Sequence, residues 1–465
     1  MSAPDRDVIV IGVGTAGSRA ARAAHEAGAR VLAIEGGERL GGLCILRGCM
    51  PTKTMLESAH RLSEARDGAR FGLRGGEGVT LDFAAHLERT RGLVERFARA
   101  KVSSIESGGY ELRMGRPRFR GPNELELDGE RLTARAFVIA TGSRTSPLPW
   151  AVPRGVRVLD SDDLFELEAP PARTIVFGAG AVGLEFAQWL ARVGSRVTLV
   201  NRSALLSRSD PEAGSELCQA LLEELDVLAP AEPEHFEAQR DGSVIVRVRD
   251  AKGAEHRVHA DALLNATGRV PDVEGLALEA LGFGSDASPT GDDAMRTTLP
   301  HVFVAGDVAP DRPRILHEAN VEGAIAGRNA ARVALGTAGE LERYPADLPR
   351  MEVIFTDPPF ATVGATPVAL RERRGVRSAT KRFPEQGRGI VMGARHGFVR
   401  FSADDEGRLL GAQILGPRAD DLIHLPGLAI RLGLRAEDLI AGPWYHPTLS
   451  EALLDVVRAL AAPVD

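Results

Sequence analysis

Four consecutive apolar residues, Val8–Ile11, run into a glycine, and the next stretch, TAGSRAARAAHEAGA, repeats alanine at three- and four-residue spacing. The first pattern is that of a buried strand and the second that of a closely packed helix, followed by a second apolar strand, VLAIE. The same succession returns in RTIVFGAGAVGLEFAQWLARVGSRVTLVNR, so the chain carries an internal repeat. FVIATGSRTSPLPW and ALLNATGRVPD each end a strand system, with prolines beyond them marking a chain crossing. The punctuation returns once more: LPHVFVAGDVAPD is a strand ending at Gly306 and Asp307, and an alanine-rich helix is expected from near Leu316. After YPADLPRMEVIFTDPPFATVG the pattern changes to alternating strands such as GFVRFSADDEGRLLGAQILG, followed by helices. GSELCQALLEELDVL reads as an amphipathic helix that buries Cys218. The expected units are residues 1–149, 150–268, 269–343 returning to the first, and 344–465 as an α+β unit.

A chain of 465 residues is too long for one ordinary core. With 44% hydrophobic and 26% charged residues it has the composition of a soluble globular protein, and no apolar run approaches the roughly 18 residues of a membrane span. MSAPDRDVIVIGVG lacks the basic region of a signal peptide, so the expected compartment is the cytoplasm. A net charge of −7 and a pI near 6.0 argue against nucleic acid and anionic membranes as partners. Cys44, Cys49 and Cys218 are too few for a disulfide scaffold.

The glycines carry the first chemistry. Gly12, Gly14 and Gly17 have the spacing that permits a tight turn, lets backbone amides approach a pyrophosphate and allows close helix packing, and Glu35 ends the next strand where a ribose diol would bind. Gly178, Gly180 and Gly183 repeat the spacing. Two dinucleotides are implied. Superimposing the copies sets Asn201 against Glu35, removing the carboxylate that would repel a 2′-phosphate, while Arg202 and Arg208 would attract one, so NADP(H) is expected over NAD(H). Asp307 ends a strand where open α/β sheets bind ligands.

Cys44 and Cys49 in GGLCILRGCMPTK are a close pair of the kind that is catalytic or metal-binding in a reducing compartment. Zinc would need further Cys or His ligands at finger-like spacing, and none follow, so no metal is expected. For the two sulfurs to meet, the segment cannot be one regular helix, and Gly48 supplies a break. Only Lys53, Lys101, Lys252 and Lys381 are lysines among 57 basic residues, which makes Lys53, just after the cysteines, stand out.

In succession, GxGxxG, CxxxxC, ATG, a second GxGxxG and ATG, AGD and a terminal HPTLSE resemble the FAD-dependent pyridine nucleotide-disulfide oxidoreductases along essentially the whole chain. LHEANVEG, FTDPPFATVG and HPTLSE are most similar to dihydrolipoyl dehydrogenases, with glutathione and mercuric reductases as near relatives. The resemblance implies an α/β chain of two Rossmann-like domains, for FAD and NAD(P), plus a C-terminal α+β dimerisation domain. It implies that Gly12, Gly14, Gly17, Glu35, Thr141, Gly142, Asp307 and His317 serve FAD, and that the second fingerprint with Gly268 serves the nicotinamide nucleotide. It further implies a Cys44–Cys49 disulfide that takes electrons at Cys49 and exchanges through Cys44 with a small external disulfide or dithiol, Lys53 pairing with Glu185 near the flavin, and a homodimer in which His446, oriented by Glu451, reaches the partner's disulfide. An NADPH-dependent reductase of another small disulfide or of Hg(II) is the alternative, and membership of a 2-oxoacid dehydrogenase complex a further possibility. The chain departs from the pattern in two ways: Leu46-Arg47 replaces Asn-Val, setting a guanidinium in the disulfide segment, and Asn201-Arg202 favours NADP where lipoyl-type relatives favour NAD.

Overall fold

The computed structural model describes residues 4–284 and 288–462. β1 (Arg6–Ile11) leads through the first glycine turn to α1 (Thr15–Glu26) and β2 (Val31–Glu35). Two helices follow, the five-residue α2 (Gly42–Leu46) and the long α3 (Cys49–Arg66), and then α4 (Phe83–Glu106). The repeat supplies α5 (Ala181–Arg192), and α6 (Pro211–Leu221) and α7 (Leu316–Leu335) lie beyond it. α7 starts at the expected residue and ends at Gly336, whose φ of +66° is a left-handed cap that glycine adopts without a Cβ clash.

The chain divides into two compact units. The first comprises residues 1–54, 85–146 and 268–346. Its sheet sets β1 between β2 and the strand Glu130–Ile139, all parallel, with Val8 opposite Val31 on one side and Ala136 on the other. Val302–Val304 joins in parallel at Phe137–Ile139. Val8, Ile9 and Val10 are fully buried. Each such side chain contributes about 1.5–3 kcal/mol of transfer free energy before entropy is counted, which fixes this strand at the sheet's centre. α1 and α7 cover one face through small residues: a Cβ on Gly323 or Gly327 would come within 2.2 Å of the Ala16 or Ala20 carbonyl oxygen. Alanine and glycine recur along these helices because larger side chains would part them. The two segments after the Ala-Thr-Gly turns pair with each other, Ser143–Thr145 antiparallel to Arg269–Pro271.

The second unit comprises residues 55–84, 147–267 and 347–465. Its parallel sheet runs in the order 226–228, 196–200, 173–177, 262–265, 158–159, repeating the β2–β1 arrangement of the first unit. A separate antiparallel sheet spans residues 351–415, and the helix Glu451–Ala461 packs on its strands 376–382 and 398–404. That helix starts at Glu451 and not at the preceding Pro447 or Thr448. Thr448 is held in a turn, its hydroxyl donating to the Tyr445 carbonyl and its amide to the Glu451 carboxylate. Cys218 lies on α6 as expected but is only partly buried, because the inward face is made by Ala213, Gly214, Leu217, Ala220 and Leu221.

Candidate active site

In both repeats the glycine geometry is fixed by backbone contact. Gly12 has φ +88°, and a Cβ there would meet the Ala140 oxygen at 2.4 Å; one on Gly17 would meet the Gly12 oxygen at 1.8 Å. The second copy is the same: Gly178, at φ +101°, faces the Ala266 oxygen at 2.2 Å, and Gly183 the Gly178 oxygen at 1.8 Å. No other residue fits these four positions. The middle glycines differ in kind. Gly14 and Gly180 are the N-caps of α1 and α5, neither supplies a side-chain cap, and nothing lies within 4 Å of a Cβ built on Gly180. The amides that open both helices have no side-chain cap to accept them, which suits them to a pyrophosphate.

Glu35 sits at the carboxyl end of β2, and its carboxylate accepts from the amides of Val13 at 2.8 Å and Gly37 at 2.8 Å. At the matching place Asn201 accepts from the Ala179 amide at 3.1 Å and donates to the Ser203 carbonyl at 2.6 Å, leaving no charge. Arg202 and Arg208 are exposed, and neither forms an ion pair among the described residues. In the first unit the Thr141 hydroxyl is buried without a partner among the described residues, Gly142 has φ +79°, and Asp307 accepts from the Ser143 hydroxyl at 2.8 Å. The open helix terminus, the ribose-type carboxylate and the orphaned hydroxyl fit an FAD. His317 is exposed in the first turn of α7, and Gly268, at φ +145°, closes the second Ala-Thr-Gly turn.

Cys44 and Cys49 are brought together by a change of helix. Cys44 lies on α2 and Cys49 opens α3, with the break at Arg47 and Gly48. A Cβ on Gly48 would come 3.2 Å from the Cys44 Cα, so glycine lets the second helix start against the first. The two thiols share a side-chain hydrogen bond. That bond, burial and the proximity of a second sulfur push the Cys44 thiol up, while the Lys53 ammonium pulls it down. Lys53 is one turn beyond Cys49 on α3, and Arg47 is exposed between the helices. The start of α2, two residues before Cys44, lies against the first glycine turn, since a Cβ on Gly42 would meet the Gly14 Cα at 2.7 Å.

In the second unit His446 Nδ1 and Glu451 Oε1 are 2.9 Å apart, and the imidazole side chain is 79% exposed. The Thr448 amide first, and His446 after it, hold the Glu451 carboxyl below the usual range. Nδ1 thus carries the hydrogen and Nε2 is left as the base. Glu185 is buried on α5 and accepts from the Phe355 amide at 3.0 Å. Sequence reasoning missed Glu322, which is buried on α7 and accepts from the Gly306 amide at 2.7 Å, fixing the turn before Asp307. Burial pushes its carboxyl up. It also missed Lys101, whose ammonium donates to the Ser18 hydroxyl at 2.7 Å. Its lysine identity in an arginine-rich chain was the available signal.

Residues 6–323 match the family described as pyridine nucleotide-disulphide oxidoreductase, and residues 351–457 match that family's dimerisation domain. The chain is 35% identical over 463 residues to a dihydrolipoyl dehydrogenase of Thermus scotoductus, covering 98% of this chain and 97% of that one. It is 34% identical over 458 residues to a mercuric reductase of Bacillus cereus, covering 97% of this chain and 70% of the other. Among solved structures, the Cu(II) complex of the HOCl-induced flavoprotein disulfide reductase RclA from Escherichia coli is similar with a TM-score of 0.82 at 24% identity, over 99% of this chain and 100% of that one.

Proposed function

Because the chain belongs to the pyridine nucleotide-disulphide oxidoreductase family and is an FAD-dependent oxidoreductase that also uses a pyridine nucleotide, we propose that it passes electrons from NADPH to a small disulfide through Cys44 and Cys49. The observation that carries the reading is the contact between these two sulfurs at the break between α2 and α3, beside the glycine turn of the first fingerprint. Gly12, Gly14, Gly17, Glu35, Thr141, Gly142, Asp307 and His317 hold FAD, with Glu35 on the adenosine ribose. Gly178, Gly180, Gly183 and Gly268 hold the nicotinamide nucleotide, and Arg202 and Arg208 pair with its 2′-phosphate beside the uncharged Asn201. Bound FAD supplies a two-electron relay between nicotinamide and sulfur.

The chain's own groups do the rest. Cys49, at the N-terminus of the 18-residue α3, has its thiolate favoured by the helix dipole. Two electrons open the Cys44–Cys49 bond; Cys44 then attacks the external disulfide, one product thiol leaves with a proton, and Cys49 displaces the second, restoring the bond. Lys53 places a compact positive charge by the flavin. His446 Nε2 moves the protons. Its exposure supports a role on a second copy of the chain, as do Leu425, Leu428 and Leu432, which are 41%, 62% and 62% exposed along one helical stripe of the matched dimerisation domain. A homodimer sharing its sites follows. No helix among the described residues is long and apolar enough to cross a membrane, which agrees with a cytoplasmic enzyme.

The test is steady-state turnover with lipoamide, dihydrolipoamide, glutathione disulfide and Hg(II), each with both nucleotides. NADPH-driven reduction of one disulfide is expected. A flavin-loaded protein that reduces none of them and oxidises no dithiol refutes the reading. The likeness to dihydrolipoyl dehydrogenases supports a second direction, oxidation of a dihydrolipoyl group within a 2-oxoacid dehydrogenase complex, and co-purification with an acyltransferase core would mark it.

A further inference from the structure

Two of the chain's four lysines converge on Cys44. Lys53 lies one turn beyond Cys49 on α3, and Lys101, on α4, is tied through Ser18 of α1 to the turn against which α2 starts. The Lys101 ammonium is fixed by a 2.7 Å hydrogen bond to the Ser18 hydroxyl. Ser18 is itself fixed, since it is buried and donates to the Gly14 carbonyl at 2.6 Å. Gly14 in turn touches the start of α2, where Gly42 admits no side chain against it, and Cys44 lies two residues further on. An anchored cation therefore stands behind the helix that carries the sulfur.

We propose that Lys101 is a positioning residue for thiol exchange, an ammonium locked on Ser18 that favours the thiolate of Cys44 over its thiol. The proposal rests on the reading of Cys44 as the exchanging sulfur. Lysine suits the place better than the arginine this chain otherwise prefers, because a compact ammonium fits between α1 and α4 with one hydrogen bond fixed. The charged and titratable groups facing the pair are Cys49 and Lys53 on α3 and Arg22 on α1, the last turned to the Ser104 carbonyl at 2.6 Å. Burial lowers the Lys101 ammonium's affinity for its proton, and Cys44 opposes that effect. By reciprocity the ammonium stabilises the sulfur anion.

The experiment is the pH profile of iodoacetamide alkylation at Cys44, read by mass spectrometry in flavin-loaded protein with Cys49→Ser. Lys101→Gln keeps a hydrogen bond to Ser18 and removes the charge. Its midpoint is expected to rise by at least half a pH unit, and Lys101→Arg to restore most of the difference. An unchanged midpoint overturns the proposal, and so does an equal rise in the arginine variant, which would mark a packing effect. If the variants do not hold flavin, competitive acetylation of the lysines in the Cys49→Ser protein decides. Capping Cys44 with a neutral group must lower the midpoint of Lys101 and leave Lys252 and Lys381 unmoved; no change at Lys101 overturns the proposal. Alkylation needs no turnover, so failure here is distinguishable from failure of the assigned reaction.

Discussion

Asn201 occupies in the second repeat the place Glu35 occupies in the first: each accepts the amide that follows the leading glycine, Ala179 at 3.1 Å and Val13 at 2.8 Å. The substitution keeps the turn and discards the charge. Arg202→Ala with Arg208→Ala is expected to lower kcat/KM for NADPH by roughly tenfold to a hundredfold, the range of one or two charge-assisted hydrogen bonds, with NADH little affected. Equal loss for both nucleotides would disprove the assignment.

Gly183→Ala drives a Cβ to 1.8 Å from the Gly178 oxygen. Nicotinamide nucleotide binding is expected to fall below detection in a titration. The yellow colour should persist in the purified protein, because the first fingerprint depends on other contacts. Gly17→Ala should do the reverse and yield apoprotein, at a cost of about 3 kcal/mol or more in stability.

Cys49→Ser tests the order of the sulfurs. The long-wavelength absorbance of a thiolate lying against oxidised flavin should vanish in the two-electron-reduced protein. Cys44→Ser should keep it. The opposite pattern would exchange the two roles.

Glu451→Ala removes the acceptor that fixes His446 at 2.9 Å. Turnover is expected to fall about 10- to 100-fold, the usual range for loss of an orienting partner to a working histidine. Flavin content should not change.

Within the second unit His60 lies 3.2 Å from Asp357 and 3.3 Å from Glu64. The hydrogen bond to Asp357 holds its pKa above the usual value. Burial opposes the charge on Asp357, yet His60 and Arg192 overcome it and hold that carboxyl well below the usual range. A histidine raised in the folded state contributes stability at pH below its unfolded value and loses it as pH rises through the folded one. Melting temperature should therefore fall slightly as pH rises above about 6.5, by the equivalent of no more than about 1 kcal/mol given solvent screening, and His60→Gln should flatten that slope. A slope unchanged in the variant would exclude His60 as its source.

What could be read from the chain was whatever a backbone demands locally. Gly12, Gly17, Gly178 and Gly183 announce themselves because no side chain fits where their neighbours' carbonyls pass. His446 and Glu451 were legible because five residues of turn bring them together without outside help. Lys101 and Glu322 were not, since their partners Ser18 and Gly306 meet them only after distant helices have packed. The exposure of Cys218 escaped for a related reason: an apolar stripe tells which face turns inward but not how wide the covered band is.

The discontinuity of the first unit has a temporal consequence. Its strand Glu130–Ile139 awaits Val302–Val304, and the inner face of α1 awaits α7, while residues 147–267, between them in the chain, belong to the other body. On the ribosome the opening βαβ segment must therefore wait, half clothed, through the synthesis of more than a hundred residues, and the other body, whose last segment is residues 347–465, is completed later still. A chaperone that shields small-residue helix faces would act in that interval.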